Sequence, residues 1–138
     1  LSWVVAFGAS FLPLMVMPAS GSPLVPLALA AVLMFLGMGL HLAAKLTLRR
    51  SFGVVAAHRG IKLSGPYRFI RHPMYAGYAL TELAMLLAGP NLFNTIVIAA
   101  IWCLQLWRIY DEERFFRDDP AYTVLCEQTP YRLIPKVF

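Results

Sequence analysis

The chain has 138 residues, 59% hydrophobic and only 14% charged, with a mean hydropathy of +0.66. A soluble domain of ordinary composition is about 45–50% apolar and about a quarter charged, so these values exclude a soluble multidomain chain and point to one integral membrane unit. The net charge of +5 is no nucleic-acid signature, because apart from Glu82 every Lys, Arg, Asp and Glu falls within residues 45–71 or 108–136, beside apolar runs, where basic residues set orientation and meet anionic lipid.

Residues 1–17 carry no charge and just reach the roughly 17–25 residues that a span needs. They are the first predicted span, with a kink at Pro13. A signal peptide fits this stretch poorly, since it lacks a basic n-region and Pro13 and Pro18 interrupt it. Pro18-Ala-Ser-Gly-Ser-Pro23 is an uncharged turn. Residues 24–46 form the clearest span, reaching roughly 35 Å at about 1.5 Å per residue. Pro26 sits in its first turn, where a missing N–H does no harm. Gly37 and Gly39 allow close approach of another helix, and His41 reads either as a helix-to-helix hydrogen bond or as a catalytic group.

Residues 47–72 follow as a basic connector, broken by Ser51-Phe-Gly53, Arg59-Gly60 and Ser64-Gly65-Pro66 and therefore mostly irregular. An irregular stretch this long in a small protein is more often functional than idle. Pro73 opens a third span, 73–87. Ala88-Gly-Pro-Asn91 makes a second uncharged turn, and a fourth span covers 91–110 with Asn94 as its candidate cap. In the tail, 111–138, the last helix continues to about Arg117. Asp118-Asp119-Pro120 breaks it, a short helix follows to about Glu127, and the apolar ending folds back. The expected fold is an all-α integral membrane protein of about four transmembrane helices, whose connector and tail form the site. Both short turns are uncharged while connector and tail are basic, so the positive-inside rule puts the site on the cytoplasmic face.

Two cysteines, Cys103 and Cys126, make neither a disulfide framework nor a zinc pattern, and His41, His58 and His72 are not at ligand spacing, so no metal site is expected. The chemistry gathers instead in Gly65-Pro-Tyr-Arg-Phe-Ile-Arg-His-Pro-Met-Tyr-Ala-Gly77, a crowd of Arg, His and Tyr at the mouth of an apolar run. Arg68 and Arg71 read as orientation and surface charges. Glu82 shares a helix face with Tyr75, seven residues earlier. It reads either as part of a polar cavity, and so as a catalytic candidate, or as a buried carboxyl bonded to Thr81, Ser10 or His41. Arg108 and Glu112 project from one helix face. They are either an exposed ion pair of about 0.3–0.5 kcal/mol or a pair that holds both charges of an amino-acid-like ligand.

The block Arg71-His-Pro-Met-Tyr-Ala-Gly77, with Tyr67 ahead of it and Arg108 and Glu112-Glu113 near the end, resembles the isoprenylcysteine carboxyl methyltransferase family. The more distant phospholipid N-methyltransferases share the general layout. The resemblance runs from about Leu48 to Pro135 and implies a membrane methyltransferase that uses S-adenosylmethionine, releases S-adenosylhomocysteine and has no Rossmann domain. It assigns the cofactor to Arg59-Gly60-Ile61-Lys62, Tyr67, His72-Pro73-Met74-Tyr75 and Glu112, and the substrate to Arg108. Charge complementarity fits this allocation: Glu112 meets the cofactor's ammonium, and His72 or backbone N–H groups meet its carboxylate. Tyr67 and Tyr75 pack on adenine or face the sulfonium. The reaction expected is carboxyl O-methylation of an isoprenylcysteine-like or other lipophilic acceptor. The alternatives are N-methylation of an ethanolamine phospholipid, with Glu82 or His72 as proton acceptor, S-methylation of a small thiol, and a non-enzymatic bundle whose basic connector grips lipid headgroups.

Overall fold

A computed structural model describes residues 4, 7, 8, 11–18, 21–48 and 64–138. Among them the regular structure is entirely helical: four α-helices and two 3-10 turns, with no strand. The Pro26 carbonyl accepts from the Leu29 and Ala30 amides at 2.9 and 3.1 Å and so opens helix α1, Leu27–Leu48. Its buried positions are Ala30, Gly37 and Ala44, a small-residue seam with a seven-residue period. Around it Leu27, Val32, Phe35, Leu42 and Leu46 are exposed, Phe35 at 74%. Small residues inside and large apolar residues outside is the inverse of a soluble core, and it is how membrane helices pack.

The seam faces helix α2, Pro73–Ala88. A Cβ on Gly37 would lie 2.8 Å from the Gly77 carbonyl oxygen, and one on Gly77 would lie 2.7 Å from that of Gly37. The two backbones therefore touch at this crossing. Gly39, the other glycine expected to serve close approach, faces open space. His72 is the N-cap residue of α2 without a side-chain capping bond. Pro73 follows at a position whose N–H would have no helical partner, so the imidazole remains available for other work.

Helix α3 covers Leu92–Phe115. Its cap is Asn91, which accepts from the Asn94 amide at 2.7 Å, and not Asn94 as expected. The Asn94 side chain instead pairs with Met17, donating to its carbonyl and accepting from its amide, both at 3.0 Å. Among residues 1–17 the chain tightens into a 3-10 turn at Leu12–Met15 and becomes extended at Val16. Pro13 thus lies in a 3-10 turn that passes into extended backbone at Val16, in place of the expected kink within a continuing span. The two uncharged turns meet: Leu24 donates to the Leu87 carbonyl at 2.9 Å, and a Cβ on Gly21 would collide with Pro90.

Helix α3 stops at Phe115, slightly short of Arg117. Asp119 then caps helix α4, Pro120–Gln128, by accepting from Ala121 at 2.9 Å. Beyond α4 the chain folds back over the segment before α2. The buried Thr129 hydroxyl donates to the Tyr67 carbonyl at 3.2 Å, and the Arg71 and His72 amides donate to Tyr131 and Arg132 at 2.8 and 2.9 Å. Among the described residues two helices, α1 and α3, are long and apolar enough to cross a membrane. At 16 residues α2 reaches only about 24 Å, short of a hydrocarbon core of about 30 Å.

Candidate functional site

The expected site splits across the chain: Tyr67 and His72–Tyr75 stand before and on the first turn of α2, while Arg108 and Glu112 lie near the end of α3. The fold brings them together. The Tyr75 hydroxyl donates to Glu112 Oε1 at 2.5 Å across 37 residues of sequence. Arg108 reaches the same oxygen at 3.7 Å, and its guanidinium carbon lies 5.4 Å from the centre of the Tyr75 ring. The other Glu112 oxygen faces His72 Nδ1 at 3.9 Å. The Arg108–Glu112 pair is thus neither isolated nor fully exposed, with side chains 17% and 25% accessible. Tyr67 is buried beneath the folded-back tail. That burial, with the Glu112 carboxylate adding to it, pushes its hydroxyl pKa well above the ordinary range, so the ring presents a neutral phenol.

Pro73 is fully buried and Met74 half-buried on the same turn. Arg59, Gly60, Ile61 and Lys62 lie outside the described residues. Glu82 accepts with both oxygens from α3, from the Trp102 indole N–H at 2.5 Å and the Gln105 amide at 3.1 Å. Among the described residues these partners stand in place of the expected Thr81 and His41, and Ser10 lies outside the described residues. Thr81 donates instead to the Gly77 carbonyl, and His41 packs its ring 4.3 Å from that of Tyr78.

The residue that the sequence reading passed over is Glu113. One position after Glu112, it is rotated about 100° around the helix and faces a different set of partners. Arg132 Nε lies 3.0 and 2.9 Å from its two oxygens, and Arg132 Nη2 lies 2.9 Å from Oε2. Arg71 reaches Oε1 at 3.1 Å and His72 Nε2 reaches it at 3.2 Å. Burial alone would raise the Glu113 pKa. The bonds from His72 and Arg132, with the nearby Arg71 charge, more than reverse this and bring it down to about 2.

Arg71, expected as a surface charge, is therefore a structural cation. Its side chain is 11% exposed, and besides Glu113 it bonds the Tyr122 hydroxyl, the Cys126 thiol and the Pro130 carbonyl. The backbone N–H groups of Arg71 and His72 are both taken by the tail, and His72 Nε2, on the ring expected as one candidate for the ligand carboxylate, is taken by Glu113. The only sequence signal for Glu113 was its place in the Glu-Glu pair. Nothing local distinguished Arg132.

A family model described as the isoprenylcysteine carboxyl methyltransferase family matches residues 24–118, well over half of the chain. No curated protein matches it.

Proposed function

The chain belongs to the isoprenylcysteine carboxyl methyltransferase family, a family of membrane methyltransferases, and from that premise we propose that it transfers a methyl group from S-adenosylmethionine to a lipophilic carboxylate presented from the membrane. The observation that supports this reading most is the convergence of Tyr75, Arg108 and His72 on the Glu112 carboxylate. These residues come from two helices distant in sequence and are of the types that a ligand with ammonium, sulfonium and carboxylate groups requires.

The described side chains fit that cofactor. Glu112 supplies a partly accessible carboxylate for its ammonium, and Tyr67 and Tyr75 supply rings for adenine or for the sulfonium. Arg59-Gly60-Ile61-Lys62, with His72, Pro73 and Met74, are assigned to the same ligand by family resemblance. Bound there, S-adenosylmethionine supplies an electrophilic methyl group. Arg108 then holds the acceptor carboxylate by a charge-assisted hydrogen bond. That nucleophile is already ionised near neutral pH and needs no general base, so the chain's contribution is alignment and exclusion of water. Both Glu82 oxygens are engaged by α3, which favours a structural role for Glu82 over proton transfer. The uncharged turns at one end of the helices and the basic segments at the other support a site that faces the cytoplasm.

The test is product analysis with labelled cofactor and a panel of acceptors: a prenylated cysteine carboxylate, its amide, an ethanolamine phospholipid and a small thiol. The carboxylate alone is expected to be methylated, with Arg108→Gln lowering kcat/KM about 10- to 100-fold, the loss of one charge-assisted contact. Methylation of the phospholipid or thiol in preference moves the assignment to those acceptors. Lipid binding that tracks total charge, with no methylation, reduces the protein to a lipid-binding bundle.

A further inference from the structure

We propose that Glu113 and Arg132 are positioning residues of this site: they hold the His72 ring in the tautomer that donates Nε2–H to Glu113, leaving Nδ1 as an acceptor that faces Glu112 and receives, with it, an ammonium group of the bound ligand. The ammonium part of the inference rests on the methyltransferase reading above; the state of the ring does not.

The geometry places a proton on His72 Nε2. Its side chain is 9% exposed and that of Glu113 12%. Glu113 is fixed on one side by Arg132, whose Nε spans both carboxylate oxygens, and on the other by Arg71. A carboxylate only accepts, so the ring nitrogen 3.2 Å from it must carry the proton. In a neutral imidazole the second nitrogen is then an acceptor. That nitrogen points at another acceptor, Glu112 Oε2, at 3.9 Å. This is too far for a direct hydrogen bond and is an arrangement that a donor completes. The ammonium of an amino-acid-like ligand carries three such donors.

Arg132 is itself held in place. Its guanidinium carbon lies 5.6 Å from the Tyr110 ring centre and 5.1 Å from that of Phe138, and its backbone carbonyl takes the His72 amide. It lies beyond residues 24–118, which the family match covers. The folded-back tail therefore supplies both the backbone and the side-chain contact that aim a residue of the matched block. Partners that bond the far nitrogen of a ligand-contacting histidine orient its ring without touching the ligand.

Imidazole nitrogen NMR on ¹⁵N-histidine-labelled protein in nanodiscs, without ligand, reads the tautomer directly. With His41→Gln and His58→Gln used to assign the signals, His72 is expected as the neutral Nε2–H form. An Nδ1–H form or an imidazolium overturns the proposal and needs no variant at the site. In Arg132→Gln the single tautomer is expected to become a mixture and S-adenosylhomocysteine affinity to fall about tenfold, with Arg132→Lys restoring part of both. An Arg132→Gln protein with an unchanged tautomer and unchanged affinity also overturns it. Absence of S-adenosylhomocysteine binding by the wild type defeats the methyltransferase reading, whereas a wrong tautomer with binding intact defeats only the positioning.

Discussion

Replacing Glu113 with Gln removes one negative charge from beneath two arginines and a histidine, and the structure sets the size of the effect. The carboxyl is held at about 2 against an ordinary 4.5, which at about 1.4 kcal/mol per pKa unit corresponds to about 3 kcal/mol. Arg132 is 31% exposed, so water screens part of the interaction, and a neutral His72 ring contributes its hydrogen bond without a charge, so about 2 kcal/mol is the expectation. The sign follows from a depressed acid. The stabilisation is complete above pH 4.5 and disappears as pH falls toward 2. Glu113→Gln should therefore lose about 2 kcal/mol near neutral pH and show a flatter pH dependence than wild type within that acidic window. Unfolding by sodium dodecyl sulfate in mixed micelles, followed by far-ultraviolet circular dichroism across pH, measures both. Equal stability near neutral pH together with equal acid slopes would refute the claim that this ion cluster fastens the tail to α2.

Three further outcomes follow from the packing. Gly77→Ala would place a Cβ 2.7 Å from the Gly37 carbonyl oxygen, so it should force α1 and α2 apart and cost about 1–3 kcal/mol in the same unfolding assay. Gly39→Ala, into open space, should cost nothing measurable. Glu82→Gln leaves one acceptor for two donors, Trp102 and Gln105. It should lose about 1–3 kcal/mol and shift Trp102 emission while S-adenosylhomocysteine affinity stays at the wild-type value; a lost affinity would return Glu82 to the site.

Much of the helical layout could be read from local chemistry. Pro73 and Pro120 stand where α2 and α4 begin, and Gly89-Pro90 lies where α2 and α3 part. These signals act within one turn of the residue that carries them. The pairing of Tyr75 with Glu112 was reachable because both ends sit in family-like blocks. Contacts that depend on the tail's return path were not. Arg71 and Arg68 look alike in sequence, yet one is enclosed by Glu113, Tyr122 and Cys126 while the other is exposed. Only the crossing of residues 129–132 over the segment before α2 separates them. Asn91 and Asn94 posed the same difficulty on a smaller scale. Either amide can cap a helix, and the choice was made by Met17, more than seventy residues away, which needed the Asn94 side chain for its own backbone.

In the proposed function the two carboxylates divide the work: Glu113 fixes the architecture and Glu112 faces the ligand. Isothermal titration of S-adenosylhomocysteine into purified wild-type protein and Glu112→Ala tests that division most directly. One molecule should bind per wild-type chain. The variant, with the Glu113 cluster and the folded state intact, should bind at least about tenfold more weakly, the loss of one charge-assisted contact. A wild-type protein that gives no binding heat, or a Glu112→Ala protein that binds as tightly as wild type, would contradict the account.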